Sequence, residues 1–412
     1  MKTSLLPLLL LGFISFYGCS KKSSIPADHN TEALSANDEF FQHPEEVTLY
    51  NPNQLNAENI KKCAFVVSAK DSCKVELSPL LGVGKDTITV NDVLNRTMSS
   101  QASYLQTFRN ILNQMPKESL QMFGAVNAIV ISERIVPSFY HYGSGAIYLS
   151  SSYFWKTPEE KALIKRKDYR QEFRLSLQFL ESSDYYKNGK SLYRNNSAKY
   201  RSEETLGPVL ARLLYHELAH ANDFFPKSYY NSASFDKNQS YYDLTNDRWD
   251  HELIISQKLK SPLTSKLLQK MGAILYQGEK ATDTEINTKA YTVVDEFKHD
   301  VAANLYGYST SQEDLAMMIE QSMVYHHYGF SAYSIFIKLP SPNYQIADDF
   351  DYPIAGGIKN KIADPKVKER AQDVLEKFFE ADYVNRIVTS LDTLKSKDIP
   401  EDANWDTIGT YY

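Results

Sequence analysis

The stretch from Thr205 to Phe225 most constrains the fold of this chain, because its apolar residues repeat with the period of a helix. The repeating positions are Leu210, Leu214, Leu218, Ala221 and Phe225. They fall on one narrow stripe, as in a helix that buries one face. His216 and His220 lie away from this stripe. The pattern therefore predicts a half-buried helix with two histidines, one turn apart, facing a cleft.

These histidines belong to the pentapeptide His216-Glu217-Leu218-Ala219-His220, which has the H-E-x-x-H spacing. Histidines four residues apart on a helix can direct both rings at one ion. Glu217 cannot easily bind the same ion, but it can reach a water molecule bound there and act as a general base. The motif therefore predicts a zinc-dependent peptidase with His216 and His220 as metal ligands. Two surface histidines on a solvated helix are the alternative.

Catalytic zinc usually takes a third protein ligand, which must come from outside this motif. The chain after His220 lacks the glycine and histidine of the longer metzincin motif. Further along, a loop of small polar residues opens a predicted helix with Glu313 in its first turn. Glu320 lies on the same side two turns later, so the spacing leaves both carboxylates open. The remaining candidates are Asp300, His299, Asp250, His251 and Glu252.

The sequence Tyr-Ser-Thr-Ser-Gln-Glu-Asp-Leu-Ala from Tyr308 to Ala316 resembles the Tyr-Ala-x-x-x-x-Glu-Asp-Phe-Ala-Glu signature of zinc metallopeptidase lipoproteins. More remotely, it is similar to that of anthrax lethal factor-like peptidases. The resemblance implies a gluzincin-type site with Zn²⁺ as cofactor and Glu313 as third ligand. The second glutamate of the signature falls on Met317, so any hydrogen bond which that glutamate makes to a ligand is missing here or comes from Asp314 instead. A capping box between Thr310 and Glu313 is the local alternative.

Hydrolysis also needs a donor to the oxyanion that develops at the attacked carbonyl. Tyr308 and Tyr306 precede Glu313 in the loop and match the position of such a donor in the resembling family, and we select Tyr308. His326 and His327 are the alternative donors.

The expected fold is α+β and zincin-like, mainly helical, with a small mixed sheet beside the H-E-x-x-H helix. Ala128–Ile131 and Ala146–Leu149 read as strands, and Gly145–Ser151 is predicted to be an edge strand that receives the substrate backbone. The charged stretch from Thr157 to Leu180 is predicted to be helical. The stretch from Asn222 to Asp250, rich in Tyr, Asn, Ser and Asp, is predicted to be a long loop.

The N-terminus has the pattern of an exported lipoprotein. A lysine precedes an apolar run too short to span a membrane stably, and Gly18-Cys19 follows. This resembles the lipobox of bacterial lipoproteins, which implies a signal peptide over residues 1–18 and lipidation of Cys19. Residues 19–46 are polar and predicted to be a flexible tether. We therefore expect a cell-envelope protein, anchored by lipid to the outer membrane, with an ordinary secretory signal as the alternative.

Cys63 and Cys73 are the remaining cysteines, and an even pair in an exported protein predicts a disulfide. The pair marks a small segment over residues 47–95, followed by a peptidase domain over residues 96–412. The net charge of −6 provides no basic footprint for nucleic acid. The expected partners are a protein or peptide substrate and, through the lipid, the membrane. A zinc-containing binding or assembly lipoprotein without activity and a cell-wall peptide amidase are the alternative functions.

Overall fold

The computed structural model describes residues 35–164, 168, 173–192, 199–340, 352–405 and 408. These residues form a mixed α+β structure, about 50% helical, with two small sheets. The predicted signal peptide and the lipidation site Cys19 lie outside the described residues. No helix in the described part is long and apolar enough to cross a membrane.

In chain order the strands are β1 (Thr48–Leu49), β2 (Thr97–Ser99), β3 (Ala128–Ser132), β4 (Phe139–His141), β5 (Ala146–Ser150), β6 (Phe179–Lys187), β7 (Lys190–Ser191), β8 (Ser331–Lys338), β9 (Ile354–Lys359) and β10 (Lys397–Ile399). The helices are α1 (Asp38–Phe41), α2 (Ala57–Ala64), α3 (Val90–Leu94), α4 (Ala102–Leu112), α5 (Lys117–Gln121), α6 (Pro158–Ala162), α7 (Glu203–Phe224), α8 (Lys227–Tyr230), α9 (Tyr241–Asp250), α10 (Lys266–Gln277), α11 (Asp283–Ile286), α12 (Ala290–His299), α13 (Ser311–Tyr328), α14 (Pro365–Phe378) and α15 (Ala381–Asp392).

The predicted helix around the two histidines is confirmed as α7. The side chain of Ser202 caps its N-terminus by accepting a hydrogen bond from the amide of Thr205 at 3.3 Å. Leu210, Leu214 and Leu218 are fully buried in the largest apolar cluster of the described residues. Helix α7 packs against α13, α4 and β4. It therefore lies between the helical part of the molecule and the first sheet.

The first sheet has the order β1-β2-β3-β5-β4. Both predicted strands exist, as β3 and β5, but they pair in parallel, and β4 forms a hairpin with β5. The prediction that Gly145–Ser151 is an edge strand is wrong, because β5 has a hydrogen-bonded neighbour on each side. Its five residues are all buried, as expected for an interior strand. The edge strand next to α7 is β4.

The second sheet has the order β10-β9-β8-β6-β7 and is entirely antiparallel. None of its strands was predicted. The predicted helix over Thr157–Leu180 is wrong beyond α6, because Phe179 and Leu180 already belong to β6. A Cβ at Gly357 in β9 would overlap the carbonyl oxygen of Ser334 in β8, so this position requires glycine. Glycine is uncommon inside strands, and its presence made β9 hard to predict.

The predicted loop over Asn222–Asp250 is also wrong. Helix α7 continues to Phe224, and α8 and α9 follow. Helix α9 buries Tyr241, Leu244 and Thr245, and its N-terminus is capped by Ser240. Helix α9 was not predicted because few of its buried residues are aliphatic, so the polar and tyrosine-rich sequence shows no clear helical period.

The part of the predicted tether that the structure describes, residues 35–46, is folded. Phe40 and Phe41 in α1 are buried, and the ring of Phe41 lies edge-on to Tyr148 of β5 with the centroids 5.2 Å apart. A flexible tether extending to residue 46 is therefore wrong, because these rings cover one face of the first sheet.

The predicted disulfide is confirmed, with the Sγ atoms of Cys63 and Cys73 2.06 Å apart. It begins at the end of α2, which packs on β3, and β1 pairs with β2. The 47–95 segment therefore supplies an edge strand and a covering helix to the first sheet.

Candidate metal centre

Two helices that are far apart in the sequence carry the three predicted metal ligands. His216 and His220 lie on α7, and Glu313 lies in the first turn of α13. The hydroxyl of Thr310 accepts a hydrogen bond from the amide of Glu313 at 3.0 Å, which starts α13 at this point. The carboxylate of Glu313 lies against the histidines instead. Thr310 therefore caps the helix while the Glu313 side chain is available to the cluster.

The three side chains have the spacing of ligands around one small ion. The Nε2 atoms of His216 and His220 are 3.3 Å apart. The carboxylate oxygens of Glu313 lie 3.0 Å from Nε2 of His216 and 3.5 Å from Nε2 of His220. Tetrahedral zinc with bonds of 2.0 to 2.2 Å separates its ligand atoms by about 3.3 Å. The cluster could therefore hold a metal ion.

Glu313 supports this fit with an unsatisfied atom. Its Oε2 is buried and has no hydrogen-bond partner among the described residues, although Nε2 of His216 lies 3.0 Å away. Buried polar atoms without a partner are rare in proteins and need an explanation. A metal ion between these atoms would satisfy the carboxylate oxygen and both imidazole nitrogens.

Glu320 does not belong to the ligand group but lies directly behind it. Its Oε2 is 3.1 Å from Nδ1 of His216, on the opposite side of the ring from Nε2. Arg212 lies 2.9 Å from the same oxygen, and the hydroxyl of Tyr185 donates to Oε1 at 2.5 Å. A carboxylate on the far nitrogen of a ligand histidine fixes the tautomer that leaves Nε2 free for metal. Glu320 is therefore close enough to orient His216, although Nδ1 makes no hydrogen bond of good geometry with the described residues.

Sequence reasoning missed Arg212 and Tyr185. Arg212 stands one helical turn before His216, on the same face of α7, so the helical spacing could have found it. Tyr185 belongs to β6, a strand that was not predicted, and no local pattern links it to α7.

The charges of the cluster support one another. Burial alone would lower the pKa of His216, but Glu313 and Glu320 raise it to about 10. Burial opposes ionisation of Glu320, and Arg212 with smaller help from His216 lowers its pKa to about 2. The pKa of Glu313 also lies well below its usual range because the two histidines outweigh its burial. Without metal, protons on the histidines balance the carboxylates.

Glu217 is buried and lines, with His216, a cavity of about 380 Å³. Ser138 and Ser152, which lie near β4 and β5, form part of the opposite wall. Tyr306 lines the same cavity, and its ring stacks on His216 with the centroids 5.8 Å apart and an interplanar angle of 13°. A carboxylate and a phenol thus border the space next to the candidate ligands.

The structure places Tyr308 differently from the prediction. Tyr308 is buried in the apolar cluster of the second sheet, where its ring packs on Phe297, and it does not line the cavity at Glu217. The structure therefore favours Tyr306 for the donor role. His326 contacts Ser390, and His327 lies between the hydroxyls of Tyr215 and Tyr383.

The other candidate ligands do not join the group of His216, His220 and Glu313. Asp300 accepts hydrogen bonds from the amides of Thr264 and Ser265 near the start of α10, and His299 and His251 are exposed. Asp314 pairs with Arg370 in the interior. The alternative that Asp314 donates or accepts a hydrogen bond at a ligand is therefore wrong, and Glu320 is the carboxylate that lies next to a ligand histidine.

In comparisons with known proteins, no family model matches the chain, no curated protein is significantly similar to it, and no solved structure resembles it significantly.

Proposed function

We propose that this protein is a zinc-dependent peptidase of the gluzincin type, with His216, His220 and Glu313 as the metal ligands. The convergence of these three side chains on one point, from two helices distant in sequence, is the observation that carries the proposal. The position of Glu320 behind His216 also supports the proposal, because ligand histidines commonly donate a hydrogen bond from their other ring N–H to a carboxylate.

Bound zinc would supply a Lewis acid that polarises a peptide carbonyl and lowers the pKa of water. A carboxylate oxygen of Glu217 would take the proton from the attacking water and deliver it to the leaving amine. The hydroxyl of Tyr306 would donate to the oxyanion that develops on the carbonyl. Buried surroundings strengthen both interactions because little water competes for them.

The compartment is part of the proposal. We propose export to the bacterial cell envelope, with a lipid on Cys19. The Cys63–Cys73 disulfide supports an oxidising environment, because such bonds are rare in reducing compartments. Radiolabelled palmitate should label the expressed chain and fail to label Cys19→Ala. Equal labelling of both would remove the lipid anchor from the proposal.

The decisive experiment measures zinc content and proteolysis on the same preparation. The purified protein should hold one zinc ion by elemental analysis and cleave an unstructured protein such as casein, and a chelator should stop cleavage. Glu217→Gln should keep the zinc and lose about 10²-fold or more in rate, because it removes the base and leaves the ligands.

Glu204→Gln is the matched control, since Glu204 is an exposed glutamate in the first turn of the same helix. It should keep both zinc and activity. Full activity of Glu217→Gln with zinc bound would remove the general-base role. Zinc binding without cleavage of casein or purified peptidoglycan would favour a binding protein, and cleavage of peptidoglycan alone would favour an amidase.

A further inference from the structure

A second cavity, of about 420 Å³, adjoins the one at Glu217. The two share part of their walls, because Arg212, Tyr306, Met317 and Glu320 line both. A group bound in the second cavity would therefore lie beside the candidate metal centre. Its volume is more than sufficient for one long side chain of a peptide held at that centre.

Carboxylates dominate the charged groups of this second cavity, which we name the acidic cavity. Among the described residues its charged lining consists of Asp168, Glu181, Asp184, Glu320 and Arg212. Arg212 is the one cation in that set, and it pairs with Glu320. The hydroxyl of Ser191 donates to Asp184 at 2.5 Å. The described lining therefore carries more negative than positive charge.

Glu181 is the carboxylate of this set whose surroundings point most clearly to a missing cation. Its residue is 8% exposed, and its carboxylate accepts hydrogen bonds from the amide of Leu305 at 3.2 Å and the hydroxyl of Tyr276 at 3.3 Å. Burial raises the pKa of Glu181, and neutral donors that include the hydroxyls of Ser334 and Ser183 only partly oppose this effect. The described part of the chain shows no lysine or arginine acting on Glu181, so a cation entering the cavity would favour the charged form of this carboxylate.

Gln321 provides an independent sign of a ligand in the same cavity. It is 4% exposed, and its Nε2 donates to the carbonyl oxygen of Ala303 at 3.2 Å. Its Oε1 has no hydrogen-bond partner among the described residues. A buried carbonyl oxygen without a donor is rare and costs free energy. Among the described lining residues, Gln321 therefore lacks a hydrogen-bond donor and Glu181 lacks a cationic partner.

The rest of the described wall is apolar or aromatic, including Leu180, Leu275, Met317 and Tyr333. Lysine and arginine side chains combine an apolar stem with a cationic head, so they match a cavity with apolar walls and an acid. We infer that the acidic cavity receives a lysine or arginine side chain of the peptide substrate, with Glu181 as the residue that selects it. This inference rests on the proposed peptidase function and names its substrate class.

The test uses equilibrium binding, so that it does not depend on turnover. Decapeptides of Ala and Ser with a single Lys, Arg, norleucine or Glu are titrated by calorimetry into the full chain carrying Glu217→Gln. Norleucine has the stem of lysine without the charge. Lys and Arg peptides should bind at least 10-fold more tightly than norleucine, and Glu should bind most weakly. Adding Glu181→Gln should reduce the Lys preference at least 10-fold, because the amide keeps an acceptor and loses the charge.

Glu376→Gln is the matched control, since Glu376 is an exposed glutamate on α14 that lines neither cavity. It should leave the preference unchanged. If Glu181→Gln does not fold, the comparison of the Lys and norleucine peptides in the Glu217→Gln protein decides, because the two differ by the charge alone.

Three results would overturn the inference: equal binding of Lys and norleucine, an unchanged preference in a folded Glu181→Gln protein, or no binding of any peptide. Casein cleavage by the chain with native Glu217 separates the two proposals. Cleavage without a basic preference would remove the inference and keep the peptidase. A Lys preference without any cleavage would remove the peptidase and keep the cation-binding cavity.

Discussion

Glu320, which lies behind His216, could set the orientation and tautomer of this candidate ligand. Glu320 is 0% exposed and contacts His216, Arg212 and Tyr185 at once. The guanidinium of Arg212 keeps Glu320 ionised, so its carboxylate could accept a hydrogen bond from Nδ1–H of His216. The position of that proton decides whether Nε2 has a lone pair for metal.

Replacing Glu320 should weaken metal binding without abolishing it. Glu320→Gln keeps an acceptor for Nδ1 but loses the charge that favours the correct tautomer. We expect zinc affinity to fall about 10- to 100-fold, as for other partners of ligand histidines. Competition with a fluorescent zinc chelator measures this change, and circular dichroism checks the fold. Unchanged affinity in a folded variant would show that Glu320 has only a structural role.

Asp314→Asn is the contrasting variant. The sequence made Asp314 a candidate partner of a ligand, but Glu320 is the carboxylate that lies next to His216. Asp314 pairs with buried Arg370 and lies one residue from a ligand. Breaking a buried ion pair leaves an uncompensated charge and costs about 3 to 5 kcal/mol. Urea denaturation should show this loss, while zinc affinity at low denaturant should change less than in Glu320→Gln. A larger loss of zinc affinity in Asp314→Asn than in Glu320→Gln would show that Asp314, and not Glu320, supports the metal ligands.

Among the elements, the long periodic helices were predictable and most of the β-structure was not. Helix α7 has an aliphatic residue at every turn of one face, so its sequence alone determines its period. Helix α13 is buried nearly all round, so it shows no single apolar face. Its candidate ligand Glu313 was predicted from the loop that precedes the helix. Strands β6 and β8 carry Tyr, Ser and Asp among their buried residues, so they lack the apolar alternation typical of a strand. Their burial depends on pairing across the sheet, which a single sequence does not show. The acidic cavity, which β6 lines, could not be foreseen for the same reason.

The contact of α10 with the loop before α13 leads to a prediction about stability. A Cβ at Gly272 would lie 2.8 Å from the carbonyl carbon of Tyr308 and 2.9 Å from the amide of Ser309. Backbone cannot move aside as a flexible side chain can, so Gly272→Ala should destabilise the protein by about 1 to 3 kcal/mol. Urea denaturation measures the loss.

Gly207→Ala is the matched control, because this helical glycine of α7 has only the Oε1 atom of Gln114 near its Cβ, at 3.6 Å. Alanine is the better helix former, but Pro208 follows directly and disfavours the helical conformation of a residue with a Cβ, so this variant should change stability by less than about 1 kcal/mol. Equal effects at the two positions would show that helix propensity, and not the contact with the loop, determines the result.

For the whole molecule, the candidate centre would join α7 to α13, and these helices also pack directly on one another. Metal that binds only the folded chain stabilises it by RT ln(1 + [L]/Kd), about 4 kcal/mol at a 1,000-fold excess over Kd. Zinc should therefore raise the melting temperature of the intact chain and not that of His220→Ala. An equal rise in both would indicate a zinc site elsewhere.

The same centre should make metal affinity depend on pH. In the metal-free protein the pKa of His216 is raised to about 10, so this ring holds its proton until the pH passes well above neutrality. Zinc needs the neutral ring, so binding must release that proton, and affinity must rise with pH. Each displaced proton gives about a 10-fold gain per pH unit between pH 6 and 8. Titration with a fluorescent zinc competitor at several pH values measures the slope.

Glu320→Gln should make the affinity level off at a lower pH, and the easier loss of the proton should offset part of the fall in affinity. Glu320 is one of the two carboxylates that raise the pKa of His216, so its loss makes the proton easier to displace. Glu204→Gln on the surface of α7 should leave the slope unchanged. A slope near zero in the unaltered protein would mean that His216 is already neutral without metal, and that Glu313 and Glu320 do not hold the charge of this ring.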